Sequence, residues 1–169
     1  MIRKKEKLVE IKSIPQSSVG APCPLVFATE HEVVVTYFLN EVDPDWDGSS
    51  VRVISPGSSE EPSITIKFER VLAHYFGMPN DEAISGHPLS DLGIEPYSYY
   101  EVKNSSWIEK HEKMNRVHPY HKKKHYSDYR HFIFTFHDTT FEVIAKGYST
   151  TKGIGSLTEN ILKAIKTET

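Results

Sequence analysis

Apolar and polar positions alternate along much of this chain, in the period-two pattern of strands with one buried face. The clearest stretch is residues 130–146. Phe132, Phe134 and Phe136 share one parity, while His131, Ile133, Thr135 and His137 share the other. Asp138, Thr139 and Thr140 are turn formers, and Phe141, Val143 and Ala145 carry the apolar face back, so the segment predicts a β-hairpin. A second hairpin is predicted where the apolar runs Leu25–Ala28 and Val33–Leu39 flank Thr29-Glu-His-Glu32. Ile64, Ile66 and Phe68 alternate with Thr65 and Lys67, a strand that can extend to Phe76. Tyr97–Lys103 and Val51–Ile54 read as short strands, and Leu8–Ile14 as an edge strand or arm. Residues 1–7 are charged and terminal and are expected to fray.

Two helices are expected. Ser106 and Glu109 have capping-box spacing and open a helix over 107–116, with Trp107, His111 and Met114 on one stripe. Ser156 and Glu159 repeat that spacing before Leu157, Ile161 and Ile165 at i, i+4, i+8. Pro15–Pro24, residues 40–50, Pro56–Pro62, residues 77–96 (with one helical turn), His118–Arg130 and Gly147–Gly155 read as loops. Six or seven strands with two helices and no strand–helix–strand rhythm predict an α+β fold. The expected form is a predominantly antiparallel curved sheet or half-barrel with the helices packed on it, in one domain spanning 1–169.

Composition narrows the function classes. A net charge of −3 over 169 residues supplies no strong field toward nucleic acid or anionic membranes. The Lys/Arg/Tyr mixture of His118–Arg130 is a local argument for nucleic acid, outweighed by the lack of a binding motif. The one cysteine, Cys23, rules out an internal disulfide and Cys-rich zinc sites. It points to a reducing, cytoplasmic setting. No run approaches the ~20 apolar residues of a membrane span, and no secretory h-region follows the basic N-terminus. Nucleophile-elbow, dinucleotide and Walker signatures are missing. Gly153-Ile-Gly-Ser ahead of the last helix is a weak anion-site pattern.

Candidate chemistry falls in the second half. Nine histidines are present, and six lie at 111, 118, 121, 125, 131 and 137. Lys122-Lys123-Lys124 among the central ones would repel a divalent cation, so no metal site is assigned. His131, His137 and Glu142 share the parity opposite the phenylalanines, where a carboxylate and an imidazole on paired strands can share a proton. Asn80, Asp81, His87, Glu101 and Asn104 add polar groups on intervening loops and strands, which is where sites tend to lie. Ligand-binding candidates are therefore Asn80, Asp81, His87, Glu101, Asn104, His131, His137 and Glu142, on the face the phenylalanines do not use. No cofactor is implied.

The segments Phe76-Gly-Met-Pro-Asn-Asp-Glu-Ala83, Gly86-His-Pro-Leu89, Tyr100-Glu-Val-Lys-Asn-Ser-Ser-Trp107, Asn115-Arg-Val-His-Pro119 and Arg130–Asp138 running on to Glu142 resemble a family of uncharacterised bacterial proteins. That resemblance covers about residues 76–142. It implies a bacterial source and carries no activity or catalytic residue with it. Two expectations follow. One is a non-catalytic accessory protein that binds another protein through an exposed patch. The alternative is a small-ligand binder or metal-assisted enzyme using the His/Asp/Glu groups of residues 80–142, which requires those groups to converge on one concave site.

Overall fold

The structure is a computed structural model and describes residues 5–41, 49 and 53–166. The loop expected at 40–50 and the strand expected at 51–54 lie largely outside these residues. Among the described residues there are nine strands and two α-helices, all strands antiparallel to their neighbours. The α+β class is thus the one the pattern predicts. The strands are β1 Lys7–Glu10, β2 Leu25–Ala28, β3 Val33–Phe38, β4 Pro62–Glu69, β5 Ala73–Gly77, β6 Tyr99–Lys103, β7 Arg130–Thr135, β8 Thr140–Ala145 and β9 Gly147–Ile154. Helix α1 is Ser106–Met114 and α2 is Leu157–Lys166. One sheet runs β1-β6-β7-β8-β5 and the other β2-β3-β4-β9; neither closes into a barrel.

Period-two patterning explains the layers. Val33, Val35, Tyr37, Ile64, Ile66 and Phe68 of the smaller sheet meet Tyr99, Phe132, Phe134, Phe136, Phe141, Val143 and Ala145 of the larger. Phe68 is the hub. Its ring lies 6.0, 5.8 and 5.6 Å from those of Phe132, Phe134 and Phe141, tilted or edge-on as ring quadrupoles prefer. The opposite parity of β3 is also buried, because α2 covers it with Leu157 and Ile161. Ser156 caps α2 by accepting from the Glu159 amide at 3.2 Å, and the Leu157 amide donates to the Pro56 carbonyl. Two of the amides at the start of α2, which an anion there would need, are therefore already used.

Several local expectations change. The strand starting at Ile64 does not run to Phe76. Arg70 takes a positive φ of 50°, and the chain crosses to the other sheet as β5. Gly147–Ile154, expected as a loop, is an edge strand pairing with all of β4; its side chains are polar and mostly exposed, so no buried parity marks it. The α1 cap is Ser105, not Ser106: Ser105 Oγ accepts from the Ile108 amide at 3.3 Å. Met114 is exposed, and the buried residue of α1 is Glu112. Residues 5–7 are tied down rather than frayed. Lys7 opens β1, the Asn104 side chain donates to the Lys5 carbonyl, and Glu6 accepts from the Ser106 amide at 2.6 Å. Among the described residues no helix is long and apolar enough to cross a membrane.

Candidate functional site

Buried polar groups meet on the outer face of the larger sheet. His131 and Glu142 are diagonal neighbours on β7 and β8, since His131 pairs with Ile144 and Ile133 with Glu142. Residues 84–92, two 3-10 turns, cross this face and pack Ile84 and Leu89 against Tyr100, Val102 and Ile133. That crossing delivers His87. Its Nε2 lies 3.3 Å from Glu142 Oε1, and His131 Nε2 lies 2.8 Å from Glu142 Oε2. The two imidazole side chains are 2% and 3% exposed and the carboxylate 17%, so this is a buried, charge-assisted cluster.

The outer nitrogens are also occupied. His87 Nδ1 accepts from the Leu89 amide at 3.1 Å, which places its ring proton on Nε2, facing Glu142. His131 Nδ1 lies 2.9 Å from Ser105 Oγ. The ionised Glu142 carboxylate can only accept, so His131 carries its ring proton on Nε2, and its Nδ1 accepts from the Ser105 hydroxyl, whose oxygen also accepts from the Ile108 amide. Burial by itself would push the Glu142 carboxyl up. The hydrogen bonds from His131 and His87 outweigh burial and hold it down at about 2. The line Ser105–His131–Glu142 has the order of a nucleophile–base–acid relay. Ser105 is only 4% exposed and does not line the adjoining cavity, so it positions His131 and caps α1 instead.

That cavity, about 400 Å³, is lined by His87, His131 and Glu142 together with Trp107, Tyr75, Met78, Pro79, Pro88, Leu89, Ser106 and Glu6. Its size is within the usual small-molecule range of about 300–1,000 Å³. Trp107 stands edge-on to His131 at 5.0 Å between ring centres. Each carboxylate oxygen offers about two lone-pair sites, and the imidazoles take one on each oxygen. Glu142 can therefore still accept from a molecule in the cavity. Neither imidazole has a nitrogen left to act as a base. Among the described residues no three His, Cys, Asp or Glu side chains are arranged to hold a metal ion. Here the ring nitrogens point at carboxylate oxygens, not at a shared vacant point.

The other candidates lie elsewhere. Asp81, His137 and Tyr97 form a separate cluster nearer the surface. Asp81 Oδ2 accepts from Tyr97 Oη and, at 2.8 Å, from His137 Nδ1. Tyr97 holds a positive φ of 54°, unfavourable for a bulky side chain, and the hydrogen bond to Asp81, then burial, push its phenol up to about 12. The same carboxylate raises His137, while bonds from Tyr97 and then His137 lower Asp81. A histidine raised on folding adds stability below its unfolded pKa, and this is lost as pH rises through the folded value. In an NMR titration His137 is expected to titrate above the ordinary value of 6.5, and Asp81→Asn to bring it back down. A His137 midpoint indifferent to Asp81→Asn would refute the pairing.

Glu101 falls on the phenylalanine side, opposite Phe132, where Arg130 at 2.5 Å and Lys103 neutralise it. It borders a larger groove of about 930 Å³ with Glu112, which Arg116 grips through two nitrogens at 3.1 and 2.8 Å. Both buried carboxylates of this groove, Glu101 and Glu112, are thus already held by basic side chains. Asn80 caps the Ala83 amide at 3.2 Å, and Asn104, at a positive φ of 57°, turns the chain from β6 into α1. Cys23 is half-buried, and burial followed by Asp138 raises its thiol, which keeps it protonated and unreactive. Of the eight predicted residues, His87, His131 and Glu142 converge. Tyr75, Leu89, Glu6, Ser105 and Trp107 are absent from the predicted set; the signal for the last two is the Ser105-Ser106-Trp107 run at a helix start, which offers a hydroxyl but reads as a cap.

The fold and site together describe an α+β two-sheet protein with a buried His–Glu–His cluster opening on a cavity. Comparison with protein-family models, curated proteins and solved structures returned no match.

Proposed function

We propose that this protein binds a small molecule in the cavity over Glu142. The observation that carries the reading is the convergence of His87 and His131 on the two oxygens of one carboxylate at the floor of a 400 Å³ cavity with apolar walls. Rigid, fully partnered polar groups facing an apolar recess are what a preorganised binding site requires. The occupied ring nitrogens favour binding over acid–base catalysis. The resemblance over residues 76–142 spans His87, Trp107, His131 and Glu142, and with it a bacterial, cytoplasmic protein is part of the proposal. The test is a fragment screen by NMR on the full chain. Hits are expected to shift the Trp107 indole and the His87 and His131 rings together, and to be lost in Trp107→Ala. Hits that gather elsewhere and survive that substitution would overturn the proposal.

One observation favours a second reading, a non-catalytic module that binds another protein. Tyr75, Phe76 and Met78 at the β5 edge are 44%, 40% and 61% exposed, and an edge strand has unpaired backbone groups to offer. A photo-crosslinking residue at Phe76, used in cells of the source organism, separates the readings. A single discrete adduct supports the protein partner, and none supports the cavity.

A further inference from the structure

Resting on that reading, we propose that the cavity's ligand is a compact organic ammonium, its nitrogen on Glu142 and its apolar body against Trp107 and Tyr75. The charged groups of the lining are two carboxylates, Glu142 and Glu6, and among the described residues no lysine or arginine lines the cavity. An anionic ligand would meet two like charges and no counter-charge. The hydrogen-bonding capacity of the floor has one sign. His87 donates to Glu142 and accepts from Leu89, and His131 donates to Glu142 and accepts from Ser105. What remains on the floor is the set of unused lone pairs on the Glu142 oxygens, which only a donor can satisfy. An ammonium brings three donors and the complementary charge.

The walls fit the same class. Trp107 and Tyr75 present aromatic surface, which attracts a cation electrostatically and an alkyl or aryl group by burial. Tyr75 donates its own hydroxyl proton to the Met78 carbonyl at 2.9 Å, which holds its ring at the rim. Pro79, Pro88 and Leu89 complete an apolar surround that leaves the carboxylate as the strongest polar anchor in the cavity. Glu6 lies on the chain just ahead of β1 and answers the α1 N-terminus through the Ser106 amide, so the helix dipole there is already met by protein and does not recruit an outside anion.

The experiment compares three probes of one shape: phenethylamine, 2-phenylethanol and 3-phenylpropionate. Each is titrated into the full chain while the Trp107 indole and the His131 ring are followed by NMR. The amine is expected to bind about tenfold or more tighter than the alcohol, with the carboxylate weakest. Glu142→Gln is expected to bring the amine down to the level of the alcohol. Because that substitution strains a buried cluster, Tyr75→Lys at the exposed rim serves as the second variant. It places a cation in the cavity and is expected to remove the preference for the amine. If the alcohol or carboxylate binds as well as the amine, the ammonium class is wrong while the cavity remains a binding site. If no probe moves Trp107 or His131 up to its solubility limit, the binding reading falls with it.

Discussion

Glu142→Ala is expected to destabilise the fold by on the order of 3 kcal/mol at neutral pH, with the loss shrinking as the solution is acidified. The size follows from the carboxyl being held near 2 against an ordinary value of 4.5, a difference worth roughly 3 kcal/mol between folded and unfolded chains. A second route gives a similar figure. Removing the carboxylate leaves two imidazole N–H groups buried without acceptors, at about 1–3 kcal/mol each. The sign of the pH dependence is set by the depressed pKa. The contribution is complete above the unfolded carboxyl's range and is lost as pH falls from about 4.5 toward 2. Denaturant titrations of wild type and variant at pH 7, 4 and 2.5 check this. A difference below 1 kcal/mol at pH 7, or one that does not narrow with acid, would show that the cluster is not coupled to folding.

Glu142→Gln is expected to cost less than the alanine change. His131 can shift its proton to Nδ1 if the Ser105 hydroxyl turns from donor to acceptor, and its Nε2 then accepts from the Gln amide. His87 cannot make that switch, because the Leu89 amide already donates to its Nδ1. The Gln carbonyl is thus expected to face His87, an orientation that the two side-chain amide proton shifts would report.

Phe68→Ala is expected to cost about 3–5 kcal/mol, the range for a buried aromatic truncated in a core that cannot collapse. Phe68 is 1% exposed and belongs to one sheet while three of its ring partners belong to the other. Its fourth, Tyr148, lies 6.0 Å away on β9. The ring is therefore a principal cross-sheet contact, and neither sheet can close the void without sliding over the other. Against a typical domain stability of about 5–15 kcal/mol, that loss leaves a marginal protein. Phe68→Leu, which keeps most of the volume, is expected to cost about 1–2 kcal/mol. The check is the urea midpoint of each variant at constant m-value. An alanine variant within 2 kcal/mol of wild type would mean that the sheets repack freely.

Much of the larger sheet is legible in the residue pattern alone. The hairpin of β7 and β8 falls where Phe132–Phe136 and Phe141–Ala145 alternate, and the parity that excludes phenylalanine does carry His131 and Glu142. Strand β9 is not legible in that way, because it is an edge strand whose side chains beyond Tyr148 are exposed and whose mark is its hydrogen bonding to β4. Glu112 shows the same limit on α1. A glutamate does not announce itself as buried, and it is buried because Arg116 and His121 lie against its oxygens.

The candidate site divides along the same line. That a polar face exists behind the phenylalanines, and that it holds His131 and Glu142, is a local matter. Side chains alternate with period two, so each strand's own sequence decides which of its residues share a face. That His87 completes the cluster, with Trp107 and Tyr75 walling its cavity, is not local. His87 and Glu142 are 55 positions apart, and their meeting depends on how residues 84–92 cross the sheet. Nor did the sequence separate His137 and Asp81 into their own cluster, or turn Glu101 to the phenylalanine side, since strand ends and registers set both. The sequence by itself determined which residues of β7 and β8 share a face; the tertiary structure alone decided how the other strands' faces are set against them and which polar groups share one cavity, because the packing energy that brings distant segments together is spread over the whole core.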